Sequence, residues 1–187
     1  MRVYSIATDI DKYQVILPVS YTDAVHDMID FNGLPKIGIW EPLIFYIDNP
    51  LDKQSDFFSL TNSSAFACTK KAADKFMRFW EMSAELLPIF LEDGTELFIV
   101  NIIDCVNALD SKDTVYDYYE DGTRSNRILN YAFHKNRFHE SSIFKIPETA
   151  NIQILTYAGV KSPEDEFFFA YKESGLTGLI FYPLFNS

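Results

Sequence analysis

The sequence predicts an α+β fold: a mainly antiparallel sheet built around a central hairpin, with two principal helices. Three observations predict it. The first is the hairpin, over about residues 86–103. Two apolar runs, 86–91 and 97–103, flank Glu92-Asp93-Gly94-Thr95. An Asp-Gly pair supplies the positive φ values of a tight, primed turn. The second run is a nearly unbroken series of Ile, Val and Phe, the pattern of a mid-sheet strand buried on both faces. The second observation is a helical period over about 70–82. Thr69 offers an N-cap, and Ala72, Ala73, Phe76, Met77 and Trp80 share one face, while Lys70, Lys71, Lys75 and Arg78 project elsewhere. The third is a helix start near 163, giving a helix over about 163–174. Ser162 sits at the N-cap, Pro163 at the first position, and Glu164, Asp165 and Glu166 in the first turn; Phe167, Phe168, Ala170 and Tyr171 form the apolar side and Gly175 the stop.

The remaining segments follow in chain order. Residues 2–7 alternate and read as a strand, 13–17 as a second. The polar break between them carries Asp9 and Asp11, but lacks the further ligands and glycine of a calcium loop, so it reads as a solvated turn. Residues 18–56 hold short apolar bursts, such as Ile37-Gly38-Ile39-Trp40, punctuated by Pro18, Gly33, Pro35, Pro42 and Pro50. Proline breaks helices and central strands, so short edge strands and irregular loops are expected there. Phe57-Phe58-Ser59-Leu60 closes that region, and short strands are expected at 65–68, 128–133, 143–147, 152–156 and 179–182. Residues 110–127 are polar and tyrosine-rich, with a second Glu-Asp-Gly-Thr at 120–123. With no repeat, low-complexity tract or linker, 1–187 reads as one domain, irregular over 1–56.

Composition narrows the function classes. Hydrophobic residues make up 48% of the 187, aromatics 16%, enough for a substantial core. Twenty-seven acidic side chains against sixteen basic ones give a net charge of −11. That argues against phosphate-mediated nucleic-acid binding and against anionic membrane surfaces, and suits a basic protein partner or simple solubility. Cys68 and Cys105 lie in apolar runs without CxxC spacing and read as two buried thiols in a reducing compartment. No apolar run has the length of a signal-peptide core or a membrane span, so a cytoplasmic protein is expected.

Catalytic signatures are sparse. His134 and His139 stand five apart, not the four of a helical metal-binding pair, and His26 is isolated. No Gly-x-Ser-x-Gly, P-loop or GxGxxG occurs. A Ser-His-Asp or Cys-His site would have to assemble in space. A small hydrolase-like enzyme and a non-catalytic adaptor domain are therefore the competing classes.

The second half carries a family pattern. Cys68-Thr69-Lys70-Lys71-Ala72-Ala73 is followed by Leu86-Leu87-Pro88-Ile89. Then come Phe98-Ile99-Val100-Asn101-Ile102-Ile103-Asp104-Cys105-Val106, Ile143-Phe144-Lys145-Ile146-Pro147 and a helix running into Ser174-Gly175-Leu176-Thr177-Gly178-Leu179-Ile180-Phe181. This order resembles immunity-protein family eleven of bacterial polymorphic toxin systems, over roughly residues 57–185. The resemblance implies an α+β protein encoded beside a toxin, which protects the producing cell by binding that toxin, without catalytic residues or cofactors.

Charge suggests where such a partner would bind. Residues 81–123 hold eleven acids and one base, Lys112, between flanks of net +3 (61–80) and +4 (124–147). Tyrosines beside carboxylates make rigid interface anchors whose charge steers a basic partner. The expected toxin-binding residues are Asp113, Tyr116, Asp117, Tyr118, Tyr119, Glu120 and Asp121, joined by Glu92 and Asp93. The competing reading is a solvated loop that pairs with Arg124, Arg127 and the helix lysines. A homodimer through an exposed Phe- or Tyr-rich edge is a further expectation.

Overall fold

The two runs around Gly94 pair as an antiparallel hairpin, strands β6 (Ala84–Leu91) and β7 (Glu96–Ile102), with Leu86 opposite Val100 and Ile89 opposite Leu97. In a computed structural model, which describes residues 1–60, 64–138 and 141–187, these strands sit at the middle of a closed six-stranded barrel. The other elements, in chain order, are β1 (Arg2–Thr8), β2 (Val15–Pro18), α1 (Asp23–Met28), β3 (Ile44–Ile47), β4 (Phe57–Leu60), β5 (Phe66–Thr69), α2 (Lys70–Lys75) and α3 (Met77–Ser83) before the hairpin. After it come β8 (Val115–Tyr118), β9 (Arg124–Asn130), β10 (Ile143–Phe144), β11 (Leu155–Ala158), α4 (Phe167–Ser174) and β12 (Leu179–Asn186). The architecture is α+β and mainly antiparallel, as the sequence predicts.

The barrel runs β2-β3-β6-β7-β5-β4, with parallel pairing only at β2–β4 and β3–β6. Its interior holds Ile16, Phe45, Phe58, Leu87, Ile89 and Ile99. Alternate residues of β7 face the other way, so Val100 and Ile102 join the aromatic core beneath the helices. This explains the unbroken apolar run. A separate antiparallel sheet, β10-β11-β1-β12, carries a third core around Val3, Phe144, Leu155 and Tyr157, while β8 and β9 pair as a ribbon of their own.

Several expectations need correction. β3, the strand within 18–56, is not an edge: it pairs with β2 and β6, while β2, expected over 13–17, pairs with β3 and β4 and closes the barrel, with Pro18 tolerated as its last residue. Helix α1 was not expected; Thr22 caps it by accepting from the Val25 N–H at 3.3 Å, yet it buries no residue and so carries no apolar period. The turn at 92–95 is not of the primed type. Among the described residues only Ala150 and Asn151 are non-glycines with positive φ, so Asp93 stays right-handed and Gly94 alone takes φ 84°. The Gly94 N–H bonds to the Leu91 carbonyl and the Leu91 N–H to the Thr95 carbonyl, both at 2.9 Å, a type I turn with a glycine bulge.

The helices also differ in detail. Thr69 caps as expected, its hydroxyl accepting from the Ala72 N–H. The 70–82 helix breaks at Phe76 (φ −107°, ψ 17°), which turns Phe76, Phe79 and Trp80 together against Phe167 and leaves Met77 exposed. The 163–174 helix divides into a 3-10 turn at Pro163–Asp165 and α4, and Ser162 makes no side-chain cap bond. Cys68 is buried, but Cys105 is exposed, with its thiol on the Asn151 side-chain oxygen at 2.9 Å.

Residues 29–43 are irregular but firmly held against β6 and β7 of the barrel. Glu85, buried, accepts from the Lys36 N–H at 2.7 Å and the Ile37 N–H at 3.2 Å. Asn101, also buried, donates to the Leu34 carbonyl at 3.0 Å, and the Trp40 indole to the Pro88 carbonyl at 2.9 Å. Lys145, fully buried, donates its amine to the Phe31 carbonyl at 2.7 Å. Burial pushes the Lys145 amine down from 10.5 to about 8, with nearby Asp30 opposing the shift. Because the folded state resists protonation, the unfolded chain binds more protons between those values, and stability rises with pH across that window. At about 1.4 kcal/mol per unit the rise is at most about 3 kcal/mol. Urea midpoints at pH 7.5 and 10 should show it in the native protein; Lys145→Met should remove it, and an unchanged pH difference in that variant would refute the assignment.

Candidate functional site

The acidic, tyrosine-rich segment folds as the β8–β9 ribbon. Its base is anchored in the third core through Ile128, with Val106, Leu109 and Phe133. The Thr114 hydroxyl accepts from the Ala132 N–H, and the Asp110 N–H donates to the Ala132 carbonyl. At its tip Glu120-Asp121-Gly122-Thr123 repeats the barrel turn. Gly122 N–H to Tyr119 carbonyl and Tyr119 N–H to Thr123 carbonyl are both 2.9 Å. Asp121 accepts from the Thr123 N–H at 2.8 Å, as Asp93 does from Thr95 at 2.9 Å. Those N–H bonds hold both carboxyls below their ordinary range.

The structure divides the expected binding residues into three groups. Tyr118 and Tyr119 are 58% and 63% exposed, with Glu120 and Asp121 exposed next to them in the turn, while Asp113 is exposed at the other end of β8. Two register shifts in the ribbon, on either side of Tyr116, break the strand alternation and bring both tyrosines out. Asp117 and Tyr116 are half-buried and paired within the ribbon instead. Asp117 lies 3.7 Å from the Arg127 guanidinium, and Arg124 stacks over the Tyr116 ring at 4.5 Å. For these two residues the competing reading of internal pairing describes the geometry. Glu92 and Asp93 are exposed but belong to the barrel hairpin, a different sheet from the ribbon.

Other acids of the segment have structural tasks. Glu85 holds the 29–43 loop, and Asp110 accepts from the Lys112 N–H and faces the His134 ring nitrogen at 3.4 Å. His26 is exposed beside Asp27, and His139 lies outside the described residues. A cleft of about 720 Å³ opens between barrel and sheet, lined by Ser59, Ser64, Arg127, Tyr131, Thr149 and Gln153 among others; His134 is not part of its wall. Among the described residues no three His, Cys, Asp or Glu side chains are placed to share a metal ion, and no helix is long and apolar enough to cross a membrane.

Sequence reasoning missed one surface. Leu34, Ile37 and Ile39, in the tethered 29–43 loop, project into solvent. Their only signal was an apolar burst between prolines, which read as a short strand. Of the residues on which the resemblance rests, Asn101 ties that same loop and Cys105 contacts Asn151.

No protein-family model matches the chain, and no curated protein matches it.

Proposed function

We propose that this chain is an immunity protein that binds a cognate bacterial toxin and so protects the cell that makes both. The observation that carries the reading is the ribbon tip: two exposed tyrosines among exposed carboxylates, on a turn with an ordered backbone and a base sunk in the core. Rigid aromatic anchors surrounded by one sign of charge suit a basic protein, with the tyrosines supplying binding energy and the carboxylates encounter rate. The order of motifs from Cys68 to Phe181 supports the same reading. On it the protein acts in the cytoplasm, and it uses no cofactor.

The test is co-expression with the product of the neighbouring gene. A stable complex that restores growth against that product is expected; no complex and no rescue would reject the reading. Within the complex, Tyr118→Ala with Tyr119→Ala should weaken binding by about 2–4 kcal/mol, mostly through faster dissociation. Glu120→Ser with Asp121→Ser should mainly slow association, most visibly at low salt. Unchanged rates in both pairs, measured by surface plasmon resonance, would remove the ribbon from the interface.

A further inference from the structure

We infer that the turn at residues 34–39, with the barrel flank beside it, is a preformed docking ridge for a basic protein whose apolar pocket is rimmed by lysine or arginine. The inference rests on the reading above that the partner is a basic protein, and adds a second contact surface to it.

The ridge is apolar where turns are ordinarily polar. Leu34 is 62% exposed, Ile37 65% and Ile39 73%. The turn closes through the Ile39 N–H to the Lys36 carbonyl at 3.0 Å, which puts Ile37 and Gly38 at its tip, and no atom lies within 4 Å of where a Gly38 side chain would begin. Residues 36–44 run alongside β6, from Glu85 to Phe90, since the Leu43 carbonyl accepts from the Phe90 N–H. Ile44 and Phe90 pair across the strands and are exposed on the same flank. Isolated exposed aliphatics need no explanation, but five large apolar side chains on one loop and the strand pair beside it do.

The ridge is also held still. Buried Glu85, Asn101 and Lys145, from three different segments, fix the backbone at Lys36, Ile37, Leu34 and Phe31. The order these tethers give, with Ile29 and Phe31 buried in the barrel core, fixes a loop that leaves three large aliphatic side chains in solvent. It lowers the ordering cost of binding, because the docking side chains already occupy one geometry.

Charge chooses the occupant. The surrounding stretch 19–44 carries four carboxylates, Asp23, Asp27, Asp30 and Glu41, all exposed, against the single amine of Lys36, which is turned back onto the Asp27 carbonyl at 2.8 Å. A second copy would bring this acidic rim against its own kind in a chain of net charge −11, and an anionic bilayer would be repelled likewise. A basic rim around an apolar pocket is the complement.

The probe is a synthetic amphipathic helix of leucine and lysine, with a leucine–glutamate peptide of the same pattern as control, titrated against the full chain by calorimetry. Saturable one-to-one binding of the lysine peptide alone is expected. Leu34→Ser, Ile37→Ser and Ile39→Ser together should weaken it at least tenfold, and Glu173→Ser, at an exposed acid of α4, less than twofold. If the triple variant folds poorly, Ile39→Glu at the most exposed position replaces it, with the same loss expected. Absence of saturable binding, equal binding of the glutamate peptide, or indifference to the ridge variants would overturn the inference. So would a dimer in sedimentation that the ridge variant dissociates, since the occupant would then be a second copy. The neighbouring-gene experiment stands apart from these outcomes: growth rescue with an inert ridge would sink this inference and leave the toxin-binding reading intact.

Discussion

Gly178→Ala should lose about 4 kcal/mol of stability, as two penalties combine. Gly178 has φ 111°, outside the range side-chain-bearing residues adopt readily, and its added methyl would stand 2.3 Å from the Phe57 carbonyl oxygen. The backbone cannot withdraw. The Thr177 carbonyl accepts from the Asp56 N–H (3.2 Å) and the Phe57 N–H (3.1 Å), and the Gly178 carbonyl from the Asp9 N–H (2.9 Å). Asp56 in turn accepts from the Thr177 N–H and hydroxyl. This clamp joins the entrance of β12, in the four-stranded sheet, to β4 in the barrel, and Phe57 packs at the centre of the aromatic core against Phe66 and Tyr171. The control is Gly122→Ala, with a similar positive φ of 82° but open space around it, where strain alone costs about 1 kcal/mol. Equal losses in the two variants, read from denaturant midpoints, would show that backbone strain and not the Phe57 contact sets the cost.

What could be read from the sequence was local, and what could not was paired at a distance. The hairpin, the Thr69 cap, the helical stop at Gly175 (φ 72°) and the duplicated Glu-Asp-Gly-Thr turn all lie within a few residues of their own signals. The turn type failed because Asp-Gly fits both a primed turn and a type I turn with a glycine bulge, and the three-residue loop closed by the Leu91–Thr95 bond selects the latter. Barrel closure rests on β2 meeting β3 and β4, and β3 meeting β6, pairings that no periodicity in 18–56 encodes. The ribbon's acids and tyrosines were legible as a composition. Which of them face solvent was not, because strict alternation would put Tyr116 and Tyr118 on one face, and the two register shifts separate them. The apolar ridge was hidden for a related reason: its order comes from Glu85, Asn101 and Lys145, each more than forty residues away in sequence.

Glu166 shows how a residue read as a routine helix-start acid can hold a connection together. It is fully buried, and its two oxygens accept from three consecutive backbone N–H groups, Gly159 at 2.8 Å and Val160 and Lys161 at 2.7 Å each. The carboxylate thus closes the chain between β11 and α4, while α4 itself starts on a bond from the Phe167 N–H to the distant Ser142 hydroxyl at 2.8 Å. Glu166→Ala leaves three N–H groups without their acceptor and a void beside Phe167. Charge-assisted bonds of this kind contribute about 1.5–3 kcal/mol each, but the 159–161 turn is partly open to water, which recovers some of that, so the expected loss is about 4 kcal/mol. Glu166→Gln keeps one oxygen, enough for Val160 and Lys161, and sets an amide N–H against Gly159; it should recover roughly half of the loss, at about 2 kcal/mol. Hydrogen exchange at residues 159–161 and 167–171 should quicken in both variants in that order. A loss below about 1 kcal/mol in the alanine variant would mean that the turn is held by its glycine geometry and not by the carboxylate.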